Sequence, residues 1–214
     1  MKKAVLYFLM FVACFSVAAQ TRLETGGLLK VHEDINREPD RFAGNLAVKI
    51  IVIDKITRTL PAEAFAGTGV QNVTFEEPSM ITVLPPYIFS DNVFLTSINL
   101  PRLLKIIEEG AFSGCDHLQK ITLPSGLETI QFAAFWNTRI SRLYIPNSVT
   151  FIGGSILSDA LESVRLPANV DVNGSNEFYS AYMQNEKKAG VYTKIRGSWV
   201  YGQDMSEQNF YNPR

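Results

Sequence analysis

A chain of 214 residues, 46% apolar and 19% charged, has the composition of one globular unit or a short repeat array. With 20 basic against 21 acidic residues the net charge is -1, which argues against a nucleic-acid partner, because phosphate neutralisation needs clustered Lys and Arg. Two cysteines, Cys14 and Cys115, exclude a disulfide scaffold and a four-thiolate zinc site.

The chain opens with Lys2 and Lys3 and then an uncharged apolar run from Ala4 to Ala19 that ends in the small residues Val17-Ala18-Ala19. A charged start, a short apolar stretch and small residues before the cut describe a secretory signal peptide over 1–19, cleaved after Ala19. The run is shorter than the roughly 18 to 20 apolar residues of a membrane span. Acylation of Cys14 as a lipoprotein is the alternative, but Phe11 is bulky for that site. No later segment reaches transmembrane length, so the expected product is exported and soluble, in the periplasm, at the cell surface or secreted. Cys115 is then its one thiol.

Residues 20–47 are polar apart from Leu28-Leu29-Lys30-Val31 and are expected to form an N-terminal cap, partly helical and partly extended. After it a six-residue pattern, apolar-x-x-apolar-x-apolar, begins at Val48, Val70, Leu95, Leu118, Ile140 and Leu161, with spacings of 22, 25, 23, 22 and 21 residues. Self-similarity at that period is the signature of a solenoid. In the last four units a proline follows directly, at Pro101, Pro124, Pro146 and Pro167. Proline cannot donate to a strand ladder, so it ends a short strand and turns the chain. In the second unit Glu76 and Glu77 come between Phe75 and Pro78.

A second apolar register follows each proline, at Leu104/Ile107, Leu127/Ile130 and Val149/Ile152, and a pair ends each unit at Ala111-Phe112, Ala134-Phe135 and Ile156-Leu157. Earlier counterparts of that pair are Ala64-Phe65 and Ile88-Phe89. One unit cannot bury a strand edge, a rib and a phenylalanine-sized plug, but stacked units share one continuous core. The predicted fold of residues 48–170 is a solenoid with about six short parallel strands on one face and turns or short helical pieces on the other. Because side chains alternate along a strand, Ile50, Asn72, Ser97, Lys120, Arg142 and Ser163 should form one outward row, with Val52, Thr74, Asn99, Thr122, Tyr144 and Arg165 beside it.

Leu118-Gln-Lys-Ile-Thr-Leu-Pro124, preceded by Gly110-Ala-Phe-Ser-Gly-Cys115, and the matching stretch from Leu95 to Pro101 resemble the leucine-rich repeats of the BspA-like type. These occur in surface and secreted proteins of Bacteroidetes and other host-associated microbes. The resemblance covers about residues 48 to 170. It implies a leucine-rich repeat fold and an adhesive, non-enzymatic role, through attachment to host matrix components such as fibronectin and fibrinogen or to another bacterial surface protein.

Residues 171–214 change composition, crowding in Tyr179, Tyr182, Tyr192, Trp199, Tyr201, Phe210 and Tyr211. Val191 to Ile195, then Arg196-Gly197-Ser198, then Trp199 to Tyr201 reads as a β-hairpin within a C-terminal cap. Tyr192, Trp199 and Tyr201 could instead offer an aromatic platform to a glycan, since their polar ends suit either role.

The chemistry-bearing residues do not assemble into a reactive set. His32 and His117 are the histidines, and neither Cys115 with His117 nor the adjacent pairs Glu76-Glu77 and Glu108-Glu109 has the spacing or the third orienting group that catalysis asks for. Neither a zincin, serine-elbow, Walker nor dinucleotide motif is present. The expectation is therefore a protein without enzymatic activity, cofactor or metal, whose exposed sheet face binds a protein partner. Asn99, Lys120, Thr122, Arg142, Tyr144 and Arg165 are its candidate contacts, a basic patch around one aromatic ring.

Overall fold

The computed structural model describes residues 21–38, 40–156, 160–202 and 210. The signal segment, Cys14 and Leu157 lie outside the described residues. The chain begins with β1 (Arg22–Leu23), β2 (Leu28–Val31), β3 (Ile50–Ile53) and β4 (Asn72–Phe75). Short strands then alternate between two walls: β5 (Val83–Leu84), β6 (Ser97–Ile98), β7 (Ile106–Ile107), β8 (Thr129–Ile130), β9 (Arg142–Tyr144), β10 (Phe151–Ile152), β11 (Ser163–Leu166) and β12 (Asp171–Val172). Helix α1 (Tyr179–Gln184) leads into β13 (Gly190–Ile195) and β14 (Ser198–Gly202).

The front wall is built from the six-residue pattern. β2, β3, β4 and β6 pair in parallel, a bridge from Asn99 to Thr122 carries the ladder through the fourth unit, and β9 pairs in parallel with β11. Leu28–Val31 falls in register with Ile50–Ile53, so this part of the N-terminal region supplies a further front strand. Of the eighteen patterned apolar residues all but Leu100 are buried, and Leu100 packs against the core.

The back wall is more regular than turns or helical pieces. β5, β7, β8, β10 and β12 stack as a second parallel ladder, with Leu84, Ile107, Ile130, Ile152 and Val172 pointing into the core. The cause is the constant length between front strand and rib: Leu95 to Leu104, Leu118 to Leu127 and Ile140 to Val149 are each nine residues apart, so equivalent backbone groups meet in every coil. Each step turns in the same way, with the carbonyls of Pro101, Pro124 and Pro146 accepting from the amides of Leu104, Leu127 and Val149. In the second unit the residues inserted around Glu76-Glu77 lengthen this step, and register is regained where Leu84 pairs with Ile107.

A third side consists of stacked turns carrying the phenylalanine plugs. Phe65, Phe89, Phe112 and Phe135 are fully buried and form one stack, their ring centroids 5.7, 5.6 and 5.6 Å apart. Main-chain bonds tie the turns together, the amides of Phe65, Phe89 and Phe112 donating to the carbonyls of Ile88, Ala111 and Ala134. Each plug is flanked by left-handed residues: Glu63 and Gly67, Tyr87 and Asp91, Gly110 and Gly114, Ala133 and Asn137. This conformation is cheap for glycine and costs other residues about 1–2 kcal/mol, so five of the eight positions carry side chains against local preference, and Asp91 and Asn137 are the residue types that tolerate it best. Repetition of the fold over-determines the turn.

Beside the stack runs a buried polar row. Asn92 Nδ2 donates to the Phe65 carbonyl at 2.8 Å, Cys115 Sγ to that of Phe89 at 3.0 Å, and Thr138 Oγ1 to that of Phe135 at 2.9 Å. Cys115 is thus a structural rung, and burial pushes its thiol up to about 12. His117 is exposed and bonded to Asp116, so it does not face that sulfur.

Candidate partner-binding face

The outward side chains of the front wall lie in two rows set by the strand register. Ile50, Asn72 and Ser97 are cross-strand neighbours, as are Val52 and Thr74, Asn99 and Thr122, and Tyr144 and Arg165. Paired strands are about 4.8 Å apart, so within each ladder the outward side chains form close-set lines. The chemistry of the wall changes along the axis: Leu28 and Lys30 of β2 begin it, Ile50 and Val52 come next, the short polar residues Asn72, Thr74, Ser97, Asn99 and Thr122 follow, all exposed, and then come exposed Lys120 and Arg142. Short side chains leave the wall flat and low in conformational entropy, which favours contact with a broad surface over a pocket.

At the C-terminal end the wall is closed. Arg165, expected to face solvent, is 2% exposed, and its neighbour Ser163 is buried as well. The sheet continues past β11, since β13 pairs with it antiparallel, placing Val191 opposite Arg165 and Thr193 opposite Ser163. Arg165 Nη1 donates to the Ile145 carbonyl at 2.9 Å, and its guanidinium carbon stands 5.0 Å from the centroid of the Tyr144 ring. Tyr144 is half-buried, with the ring of Phe210 edge-on to it at 6.0 Å. Of the six sequence-derived contacts, Asn99, Lys120, Thr122 and Arg142 are exposed, Tyr144 is partly covered and Arg165 belongs to the interior.

The three aromatic residues of the alternative reading all pack against the C-terminal end of the core. Tyr192 is 0% exposed and donates its hydroxyl to the Lys188 carbonyl at 3.0 Å, with burial pushing its own ionisation above the usual tyrosine range. Tyr201 donates to the Ala189 carbonyl, and Trp199 lies edge-on to Phe178 with a buried indole Nε1 that lacks an acceptor among the described residues. β13 and β14 form an antiparallel hairpin whose rings cover Phe178 and Tyr182 at the last coil. Of the three rings, Tyr192 is fully buried, while Trp199 and Tyr201 are partly buried against the core.

At the opposite end a polar cluster escaped the sequence reading. His32 Nδ1 is hydrogen-bonded to Asp54 Oδ2, while Asp54 Oδ1 accepts from the amide of Thr57 at 2.8 Å and from its hydroxyl at 2.5 Å. Burial alone would raise the Asp54 carboxyl, but the bonds from Thr57 and His32 outweigh it and hold it below the ordinary aspartate range. His32 and Asp54 are 22 residues apart, one repeat, which is the signal that could have paired them. Thr57 sits nine residues after Val48, the rib position filled elsewhere by Leu104 and Leu127, and its hydroxyl is buried because Asp54 satisfies it. The carboxylate pair Glu108-Glu109 is divided: Glu109 accepts from the Tyr87 hydroxyl at 2.5 Å, a contact that raises the tyrosine above its usual range.

A coil of short parallel strands with a regular outward face is the architecture of a leucine-rich repeat protein. The sequence matches the BspA type leucine rich repeat region, in six copies, over residues 37–160 and 82–203, and the chain belongs to that family. Among solved structures it is similar to a leucine-rich repeat protein of T. pallidum, with 26% identity and a TM-score of 0.51, covering 69% of this chain and 68% of that one. A leucine-rich repeat protein of Bacteroides ovatus aligns at 26% identity and a TM-score of 0.50, covering 62% of this chain and 41% of its own. The pneumococcal vaccine antigen PcpA aligns at 27% identity and a TM-score of 0.49, over 61% of this chain and 32% of that one. The chain thus spans a third to two fifths of the length of two of these relatives. No curated protein matches it. Among the described residues, no helix is long and apolar enough to cross a membrane.

Proposed function

We propose that this is an exported, non-enzymatic binding protein whose front wall, from Asn72 to Arg142, engages a protein partner in adhesion. The observation that carries this reading is the exposed outward row of Asn72, Thr74, Ser97, Asn99 and Thr122 on a parallel ladder, with exposed Lys120 beside it and exposed Arg142 on β9 of the next unit. Family membership supports a binding role, and Lys2-Lys3 with the apolar run to Ala19 supports export. A repeat scaffold does not fix its ligand, so host matrix proteins and other bacterial surface proteins are the partners to be tried. Lys120 and Arg142 give such a contact a preference for acidic surfaces and a sensitivity to salt.

The test is binding of the purified chain to immobilised matrix proteins and a glycan panel, beside a variant carrying Asn99→Ala, Lys120→Glu and Thr122→Ala. These residues are exposed, so the variant should fold. Protein binding that disappears in the variant and weakens with salt is expected. Binding retained by the folded variant, or confined to glycans, would overturn the reading.

A further inference from the structure

The sheet that extends the front wall past the repeats ends at β14. The turn between β13 and β14, Arg196-Gly197, has both residues in the left-handed region, at φ 51° and 82°, and in such a two-residue turn the flanking pair, Ile195 and Ser198, is a hydrogen-bonded one. Hydrogen-bonded and non-hydrogen-bonded pairs alternate along an antiparallel ladder. Val200 and Gly202 therefore also turn their main-chain groups toward β13, while Trp199 and Tyr201 turn theirs away from it. Lys194, opposite Trp199, shows the same phase, its amide donating away from β14 to the Glu162 carbonyl at 2.7 Å. Among the described residues, no main-chain partner takes up the outward N–H and C=O groups of Trp199 and Tyr201. The other outer edges, β1, β5 and β12, are two residues long, whereas β14 runs for five. Ser198-Trp-Val-Tyr-Gly202 contains neither a charge nor a proline, the devices that keep an edge from pairing. On its outward face Val200 is 46% exposed, and Ile195, diagonal to it across the hairpin, is 53% exposed.

We propose that the chain self-associates through β14, two copies joining edge to edge in antiparallel fashion with Val200 on the two-fold axis. An unpaired run of main-chain donors and acceptors is recognised by another strand, and the register of β14 makes its own copy a full match. With the axis at Val200, Trp199 faces Tyr201 of the second copy and Tyr201 faces its Trp199, so all four outward groups of each strand are paired. Centring the axis on Trp199 or on Tyr201 pairs only one of the two within the strand. Val200 then meets Val200 of the second copy in a non-hydrogen-bonded pair, the closer kind, with Ile195 of each copy beside it on the outward face. Five residues bury far less than the roughly 1,200 Å² of a stable complex, so the dimer forms at high local concentration and dissociates on dilution. Because the axis is perpendicular to the sheet, both front walls face the same way, which gives a multivalent target two points of attachment. The inference goes beyond the proposed function and does not depend on what the front wall binds.

The test is sedimentation velocity of the purified chain, with Cys14→Ser, from low micromolar to high micromolar concentration. A monomer that gives way to a dimer as concentration rises is expected. Val200→Lys sets two like charges on the axis at a position exposed in the monomer, so it should remove the dimer and leave the melting temperature unchanged. Mild oxidation with copper phenanthroline reads the register. Val200→Cys should cross-link two copies, because the thiols meet across a non-hydrogen-bonded pair, whereas Ser198→Cys, whose mate lies four strand positions or roughly 14 Å away, should not. Cys115 is buried and does not supply the bridge. A chain that stays monomeric throughout, a dimer retained by folded Val200→Lys, or equal cross-linking from the two cysteine variants overturns the inference. A matrix panel without a bound protein would overturn the proposed function and leave the sedimentation result standing.

Discussion

The two ends of the solenoid solve one problem with different chemistry. Each must cover a core layer that would otherwise meet water. At the N-terminal end the solution is polar: His32, Asp54 and Thr57 form one hydrogen-bonded group, and the buried Thr21 donates to Asp34 from its amide at 2.9 Å and its hydroxyl at 2.7 Å. At the C-terminal end it is aromatic, with Tyr182 and Tyr192 edge-on at 5.6 Å and Tyr201 following at 5.4 Å. Directional bonds to a carboxylate depend on its charge, whereas ring packing does not. The two caps should therefore answer differently to the same perturbation.

The largest effects are expected where rings are removed. Phe112→Ala deletes an inner ring of the four-membered phenylalanine stack and should cost about 3–5 kcal/mol. A thermal melt left unchanged would break the register on which both ends are described. Tyr192→Ala should cost about 3 kcal/mol or more, with faster hydrogen exchange over β11 and α1 and protection retained in β3 and β4. Exchange that rises equally at both ends would erase the contrast.

Asp54→Asn tests the polar end, and a loss of about 1–3 kcal/mol is expected, read as fraying of β2 and the His32 region. Acid should mimic it. The Asp54 carboxyl is depressed in the folded chain, so its contribution is fully present above the ordinary aspartate value of about 3.9 and is lost as pH falls through the lower folded value. Exchange measured at pH 3 against pH 6 should open β2 before β13; the reverse order would show that Asp54 does not hold the N-terminal coil. Smallest is a gain: Ala133→Gly relieves a left-handed alanine at φ 53° and should raise stability by about 0.5–1 kcal/mol, visible as a higher melting temperature.

The repeats were legible because burial in a solenoid is periodic. Val48, Leu95 and Ile140 announce their role by recurring, and so do the plugs from Phe65 to Phe135. What recurrence cannot convey is an event that happens once. Arg165 occupies an outward position by strict alternation, yet it is buried where β13, a strand from beyond the repeats, joins β11. Tyr192 shows the same limit, since its sequence neighbourhood is aromatic whether the rings face a ligand or a core. Ser97, Asn99 and Thr122, in the interior of the array, are exposed as alternation requires.

The ladders described above run across the coils, each bond joining one coil to the next. Tension applied to the two ends would load those bonds a few at a time, as a zipper is loaded at its slider, and not all together. Since successive coils contain 21 to 25 residues, each that peels away would release roughly 70–85 Å of slack. Under such tension the chain would lengthen in steps while the coils still stacked keep their outward rows in place.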